Sequence, residues 1–256
     1  MADELRELLD FAHEIAWQAG KITLRYFQTG VEVDRKADET PVTIADRSSE
    51  AHLRAAIAAR YPGHAILGEE DGLSGDAGAT YRWILDPIDG TKSFVRGVPL
   101  YGVMVGLLRE GQPVLGVVNF PALGEVVYAA QGHGCRWNGR PCRVSATASL
   151  RQGLVVSSVG HGYEQYGKGD AFQRILGAVD LFRTWGDCYG HILVATGRAE
   201  AAIDPQMNIW DAAALYPIVT EAGGRYSDWT GQPVIDGGDG ISSNGAVHDE
   251  LMRLIG

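Results

Sequence analysis

The segment Trp83-Ile-Leu-Asp86-Pro87-Ile88-Asp89-Gly90-Thr91 carries an apolar, strand-like run into two aspartates three residues apart. Carboxylates so placed can share a hard cation, because Mg2+ takes oxygen ligands in near-octahedral geometry. The glycine-threonine turn behind them offers backbone N–H groups and a hydroxyl to an anion. Cations beside an anion cradle are what phosphate-ester chemistry needs. An Asp-x-x-Asp by itself is also an ordinary strand-ending turn, so other segments decide. Ile66-Leu67-Gly68-Glu69-Glu70 is a second short apolar run ending in acids. Trp210-Asp211 opens a small, apolar helical run that stops at Gly223-Gly224, a helix C-terminus signal. Asp211 falls near the start of that helix, where a carboxylate caps free N–H groups. Capping does not preclude metal ligation.

Competing chemistries lack their residues. The chain has no G-x-S-x-G elbow, no Walker A loop and no H-E-x-x-H. Its 7 histidines are scattered. His133, His161 and His191 are free to contact a substrate but have no metal-ligand spacing. The formal net charge of −10 argues against a nucleic-acid binder, since phosphate backbones are held by clustered lysine and arginine. It also agrees with a metal-loaded site, because so acidic a protein repels a phosphate dianion unless cations intervene locally. No apolar run is long enough for a membrane span, and the acidic start Met1-Ala-Asp-Glu predicts no secretory signal. Cys135 and Cys142 flank a Trp-Asn-Gly-Arg turn and could face each other across a hairpin. With Cys188 they form no Cys-x-x-Cys site and are read as reduced thiols of a cytoplasmic protein.

The elements that must position these acids follow from periodicity. Residues 5–27 and 45–60 read as amphipathic helices, the second stopping at Tyr61-Pro62-Gly63. Residues 66–70 and 81–86 read as strands that deliver Glu69 and Asp86, with 71–80 a loop. From 101 to 144 the pattern is antiparallel, closing on an Asn138-Gly139 hairpin, which rules out a Rossmann unit. The second half reads as a strand at 153–159, helices at 171–179 and 187–197, and a short strand at 199–203. A helix over 211–222, a strand pair around Asp228-Trp-Thr-Gly231 and a helix over 247–255 complete it. Elements in blocks predict a layered α+β fold, with halves 1–150 and 151–256.

Taken in order, and with Lys36-Ala-Asp-Glu-Thr-Pro-Val-Thr-Ile-Ala-Asp46 ahead of them, these segments resemble the inositol monophosphatase family of Mg2+-dependent phosphatases. The resemblance runs from Lys36 through Gly224. It implies an αβαβα sandwich, a homodimer, and about two or three Mg2+ ions per site. It implies Glu69, Asp86, the Ile88 carbonyl, Asp89 and Asp211 as metal ligands. It places phosphate on the backbone of Gly90 and Thr91. Thr91 and Asp46, with Glu69, would direct a metal-activated water at phosphorus with no phospho-enzyme. Lys36 falls where the family has a lysine near the site, Glu70 could support the metal loop, and Asp38 reads as surface.

The run Lys92-Ser93-Phe94-Val-Arg96-Gly-Val-Pro99 and the segment Arg183-Thr-Trp-Gly186-Asp187-Cys188-Tyr189 are similar to the histidinol-phosphate phosphatase branch. That branch implies a small phosphomonoester substrate, L-histidinol phosphate, whose ammonium and imidazole could meet Asp187 and Asp204. Inositol 1-phosphate and 3′-phosphonucleotides remain alternatives, and a catalytically silent binding protein is a third.

Overall fold

The computed structural model describes residues 2–36 and 40–256; Asp38 lies outside them. Leu5, Leu8, Ala12, Ile15, Ala16 and Ala19 form one buried stripe along α1 (Ala2–Leu24), the face that helical spacing predicts. Short strands β1 (Val33–Arg35) and β2 (Pro41–Thr43) pair antiparallel ahead of α2 (Ile44–Arg60). Next come β3 (Ala65–Gly68), β4 (Gly72–Ser74), β5 (Tyr81–Asp89) and the one-turn α3 (Thr91–Val95). A meander follows: β6 (Gly102–Arg109), β7 (Gln112–Phe120), β8 (Glu125–Ala130), β9 (Gly134–Trp137) and β10 (Arg140–Pro141). These strands make an eight-stranded sheet of order β10-β9-β8-β7-β6-β5-β3-β4, parallel only between β3 and β5.

The remaining elements are β11 (Leu154–Val156), α4 (Gly169–Ala178), β12 (Leu181–Arg183), α5 (Asp187–Ala195) and β13 (Ala201–Asp204). After them come α6 (Ile209–Ala212), α7 (Leu215–Glu221), β14 (Arg225–Ser227), β15 (Gly240–Ser243) and α8 (His248–Ile255). Their strands form a five-stranded sheet, β12-β11-β13-β15-β14.

Burial of apolar faces stacks five layers. Helices α1 and α2 cover one face of the large sheet through Leu9, Leu53 and Ile57 against Trp83, Leu85 and Val105. Between the sheets, Ile84, Met104 and Val118 meet Ile192, Leu215, Ile218 and Tyr226. On the outer face, Phe172, Ile175 and Leu251 of α4 and α8 pack on Val155, Ile203 and Ile241. This is the expected αβαβα sandwich. One close approach positions the site. Gly106 and Gly116 face each other across β6 and β7. A Cβ on Gly116 would fall 2.0 Å from the Ala214 carbonyl oxygen, and one on Gly106 3.0 Å from Ala213. Two glycines therefore let the α6–α7 junction, and Asp211 with it, sit directly on the sheet that carries Asp86.

Several elements differ from the sequence reading. The first helix ends at Leu24 rather than 27, because the Thr23 hydroxyl turns back to the Gly20 carbonyl and tight i→i+3 bonds take over. The 71–80 loop contains β4. The single helix over 211–222 is two segments, since Pro217 has no N–H to continue the first and is tolerated in the first turn of the second. The strand over 153–159 shortens to 154–156, and β12 supplies an edge strand that three residues of pattern could not announce.

Candidate active site

Period-2 alternation would send Asp86 and Asp89 to opposite faces of β5. The β5–β6 register shifts between these two residues, and an irregularity of this kind re-aims a side chain. Pro87, which cannot donate to the ladder, is accommodated there. The Ile88 N–H donates to Asp86 Oδ1 at 3.0 Å, so the turn holds its own first acid. Gly90 takes φ +85°, and a Cβ there would meet both the Asp187 carboxylate and the Leu100 carbonyl at 3.1 Å. The position requires glycine. Thr91 then opens α3, its hydroxyl 3.0 Å from the Ile88 carbonyl and 3.4 Å from Asp46 Oδ1.

Asp211 arrives as the third residue of α6. Its Oδ2 accepts the Asn208 N–H at 2.7 Å, the capping role expected of it. One oxygen from each of Asp86, Asp89 and Asp211 lies within 4.8 Å of the others, close enough to share a cation. Hard carboxylate oxygens at this spacing suit Mg2+. Glu69 follows β3 at the same cleft, and Lys36 Nζ lies 2.7 Å from one oxygen of Glu69 and of Glu70.

Electrostatics point the same way. Burial, then the charges of Glu69, Asp89 and Asp211, pushes Asp86 well above the usual carboxylate range. Burial, then Asp187 and Asp211, does the same to Asp89. Burial raises Asp211, and it lifts Glu69 to about 7 against the pull of Lys36. For Lys36 itself, burial opposes the charge, but Glu69 and Glu70 prevail and raise the ammonium's pKa. So many acids crowded out of water need cations to stay ionised together.

The cleft has two ends. About 190 Å3 lies over Glu69, Asp86, Asp89, Gly90, Thr91 and Asp211. An adjoining 170 Å3 lies against Ser158, Asp204 and Met207, with Asp89, Lys92, Asp187 and Asp211 shared between the two. The structure thus brings Glu69, Asp86, Ile88, Asp89, Gly90, Thr91, Lys92, Asp187, Asp204 and Asp211 around one cleft. Asp46 is fully buried behind Thr91. Glu70 turns to Lys36, not to the three aspartates. His133 lies in a separate surface hollow with Arg6 and Arg136, and His191 is completely buried.

The sequence reading missed three supports. Buried Glu50 accepts the N–H groups of Glu70 and Asp71 at 2.9 and 3.0 Å, and Arg54 holds it at 2.7 Å. This fixes the turn that bears Glu69. The Cys188 N–H donates to Asp89 Oδ2. The Ser158 hydroxyl accepts the Asp187 N–H at 2.7 Å, holding Asp187 at φ +52°.

The sequence profile of the inositol monophosphatase family matches residues 4–255. The chain belongs to the inositol monophosphatase family. Within it, a histidinol-phosphatase from Chlorobaculum parvum is 46% identical over 250 residues, covering 97% of this chain and 96% of that protein. A histidinol-phosphatase from Mycobacterium tuberculosis is 39% identical over 254 residues, covering 96% and 97%. Among solved structures, the inositol monophosphatase from Anabaena superposes with a TM-score of 0.88 at 31% identity, covering 98% of this chain and 96% of that one. The acidic cluster, the Gly90 turn and Asp211 therefore sit on a family scaffold, and no helix of the described residues is long and apolar enough to cross a membrane.

Proposed function

We propose that the protein is a Mg2+-dependent phosphomonoesterase that hydrolyses L-histidinol phosphate to L-histidinol and phosphate. One observation carries this reading: Asp86, Asp89 and Asp211, spaced closely enough to share a cation, line the same cleft as a second pair of carboxylates, Asp187 and Asp204. The first end suits a phosphate and the second a cationic leaving group. The similarity to two histidinol-phosphatases over nearly the whole chain supports the same substrate.

Glu69, Asp86, the Ile88 carbonyl, Asp89 and Asp211 would hold the Mg2+ ions. When bound, the ions supply Lewis acidity toward the phosphoryl and leaving oxygens and lower the pKa of water. The residues do the rest. The N–H groups of Gly90 and Thr91 hold phosphate oxygens, and Lys92, which lines both ends of the cleft, adds positive charge. Thr91 orients the attacking water and passes its proton toward Asp46. The water oxygen bonds to phosphorus as the ester P–O bond breaks, and the departing alkoxide takes up a proton from a solvent water in the cleft. No phospho-enzyme forms. Lys36 holds Glu69 and Glu70 in place and favours their charged forms against burial. Asp187 and Asp204 accept hydrogen bonds from the ammonium and imidazole of the leaving group.

The enzyme acts as a cytoplasmic homodimer in this reading, in accord with its three free thiols and the prevalence of closed two-fold dimers. Light scattering at micromolar concentration should return twice the chain mass, and a monomer mass would remove the dimer. The function itself is tested by phosphate release from L-histidinol phosphate with Mg2+ and with excess EDTA. Release only with Mg2+ is expected, and release unaffected by EDTA would sink the metal-dependent reading.

A further inference from the structure

His191 lies behind the leaving-group end of the cleft. It is completely buried on α5, yet both ring nitrogens are engaged. Nε2 is 3.1 Å from Asp204 Oδ2 and Nδ1 is 2.7 Å from Ser242 Oγ on β15. A carboxylate oxygen accepts, so Nε2 is the donor to Asp204. The other oxygen of Asp204 accepts the Ser158 N–H at 2.7 Å and faces the Ser157 hydroxyl at 3.4 Å. The Ser158 hydroxyl in turn accepts the Asp187 N–H. A Cβ on Gly186 would fall 2.0 Å from Ser158 Cα, so these two loops touch backbone to backbone. One chain of contacts, Ser242–His191–Asp204–Ser158–Asp187, thus spans both carboxylates at this end of the cleft.

We propose that His191 is a positioning residue that sets leaving-group specificity by fixing the Asp204 carboxylate. The inference rests on the substrate reading given above. A carboxylate anchored through one oxygen can swing about its last torsion. Anchored through both, as here, it presents its remaining lone pairs to the cleft in one orientation. That pre-organisation lowers the entropy cost of pairing with a cationic group. A buried imidazole is costly unless its nitrogens are paired. The helix around it is apolar, with Ile192, Leu193 and Val194 next in line. An aliphatic side chain would fill the same space, so what the imidazole adds is its hydrogen bonds. Among the described residues, the hydrogen-bond partners of His191 are Ser242 and Asp204, not the proposed metal and phosphate residues, and its effect should depend on what the substrate places against Asp204.

The test is steady-state kinetics in saturating Mg2+ with L-histidinol phosphate and with p-nitrophenyl phosphate, which has no cationic group. His191→Leu removes both hydrogen bonds at similar volume, whereas His191→Gln can return a donor to Asp204. The Leu variant should lose about 10- to 100-fold in kcat/KM for L-histidinol phosphate, mainly through KM, and far less for p-nitrophenyl phosphate. The Gln variant should recover most of that loss. Combined with Asp204→Asn, the Leu substitution should add little, because the two act as one unit. Parallel loss on both substrates in a folded variant, no loss on either, or additive effects with Asp204→Asn would overturn the proposal. Should His191→Leu fail to fold, Ser242→Ala loosens the imidazole without touching Asp204; it should show the same split, and its absence also overturns the proposal. A wild-type preference for another ester would overturn the substrate reading instead, and the split measured on that ester would still judge His191.

Discussion

The Thr91 hydroxyl lies 3.4 Å from Asp46 Oδ1, while Asp46 Oδ2 accepts the Thr43 N–H at 2.8 Å and its hydroxyl at 2.7 Å. One oxygen of this buried carboxylate closes the start of α2 and the other faces the site. Burial raises the Asp46 pKa against the pull of those Thr43 bonds, which suits a group that receives a proton. Thr91→Ala should therefore lower kcat by roughly 10²–10⁴-fold with little change in KM, and Thr91→Ser should keep most of it. Asp46→Asn should lower kcat similarly and also cost about 1 kcal/mol of stability through the weakened cap, visible in urea unfolding. Undiminished kcat in Thr91→Ala would remove the pair from the mechanism.

Asp89, a proposed Mg2+ ligand, is held by the Cys188 N–H. Asp89→Asn preserves shape and that hydrogen bond but loses the anion. Loss of one charged ligand should cost several kcal/mol of transition-state stabilisation, which is roughly 10²–10³-fold in kcat/KM or more. Circular dichroism should be unchanged, and calorimetric titration should show weakened Mg2+ binding. Normal turnover by the folded variant would contradict the ligand assignment.

His248 supplies a pH dependence away from the cleft. It is fully buried, its Nδ1 is 2.9 Å from Ser243 Oγ, and its Nε2 has no hydrogen-bond partner among the described residues. Burial, then the Arg225 charge, lowers its pKa to about 4. The unfolded chain protonates histidine near 6.5. Between these values the unfolded state binds a proton that the folded state does not. Stability should therefore fall as pH drops from about 6.5 to about 4, by roughly 3 kcal/mol in total at most, and level off below. The raised carboxylates of the cleft act in the opposite direction, so the comparison must be with a variant. In EDTA, urea unfolding of His248→Asn should show a shallower fall than wild type over that range. Parallel curves would show that His248 does not titrate in this way.

Legibility in the sequence followed locality. Asp86, Asp89 and the Gly90 turn were readable because metal and phosphate chemistry demands certain residue types at short, fixed spacing. The bulge that turns both aspartates to one side was not, since a shift in pairing register belongs to β5 and β6 together. Glu50 and Arg54 are one helical turn apart on α2, and the burial of Glu50 comes from the turn after β3 folding onto it. His191 sat in an apolar helical run, and its partners Asp204 and Ser242 lie 13 and 51 residues away. Asp187 gave no sign of its left-handed backbone, which Ser158 from another loop sustains. The layered fold was readable from its blocks of strands and helices. The Gly106–Gly116 pair that seats the α6–α7 junction has meaning only once the sheet is built.

The central claim is that this cleft takes a phosphate at one end and a cationic leaving group at the other. A side-by-side kcat/KM panel in Mg2+ tests it most directly, with L-histidinol phosphate, inositol 1-phosphate and a 3′-phosphonucleotide. A charge-assisted hydrogen bond to a partly buried carboxylate is worth about 1.5–3 kcal/mol, or roughly 10- to 100-fold. L-Histidinol phosphate should therefore exceed both competitors by at least about tenfold. Equal or faster turnover of inositol 1-phosphate or the nucleotide would contradict the assignment of Asp187 and Asp204 to a cationic substrate.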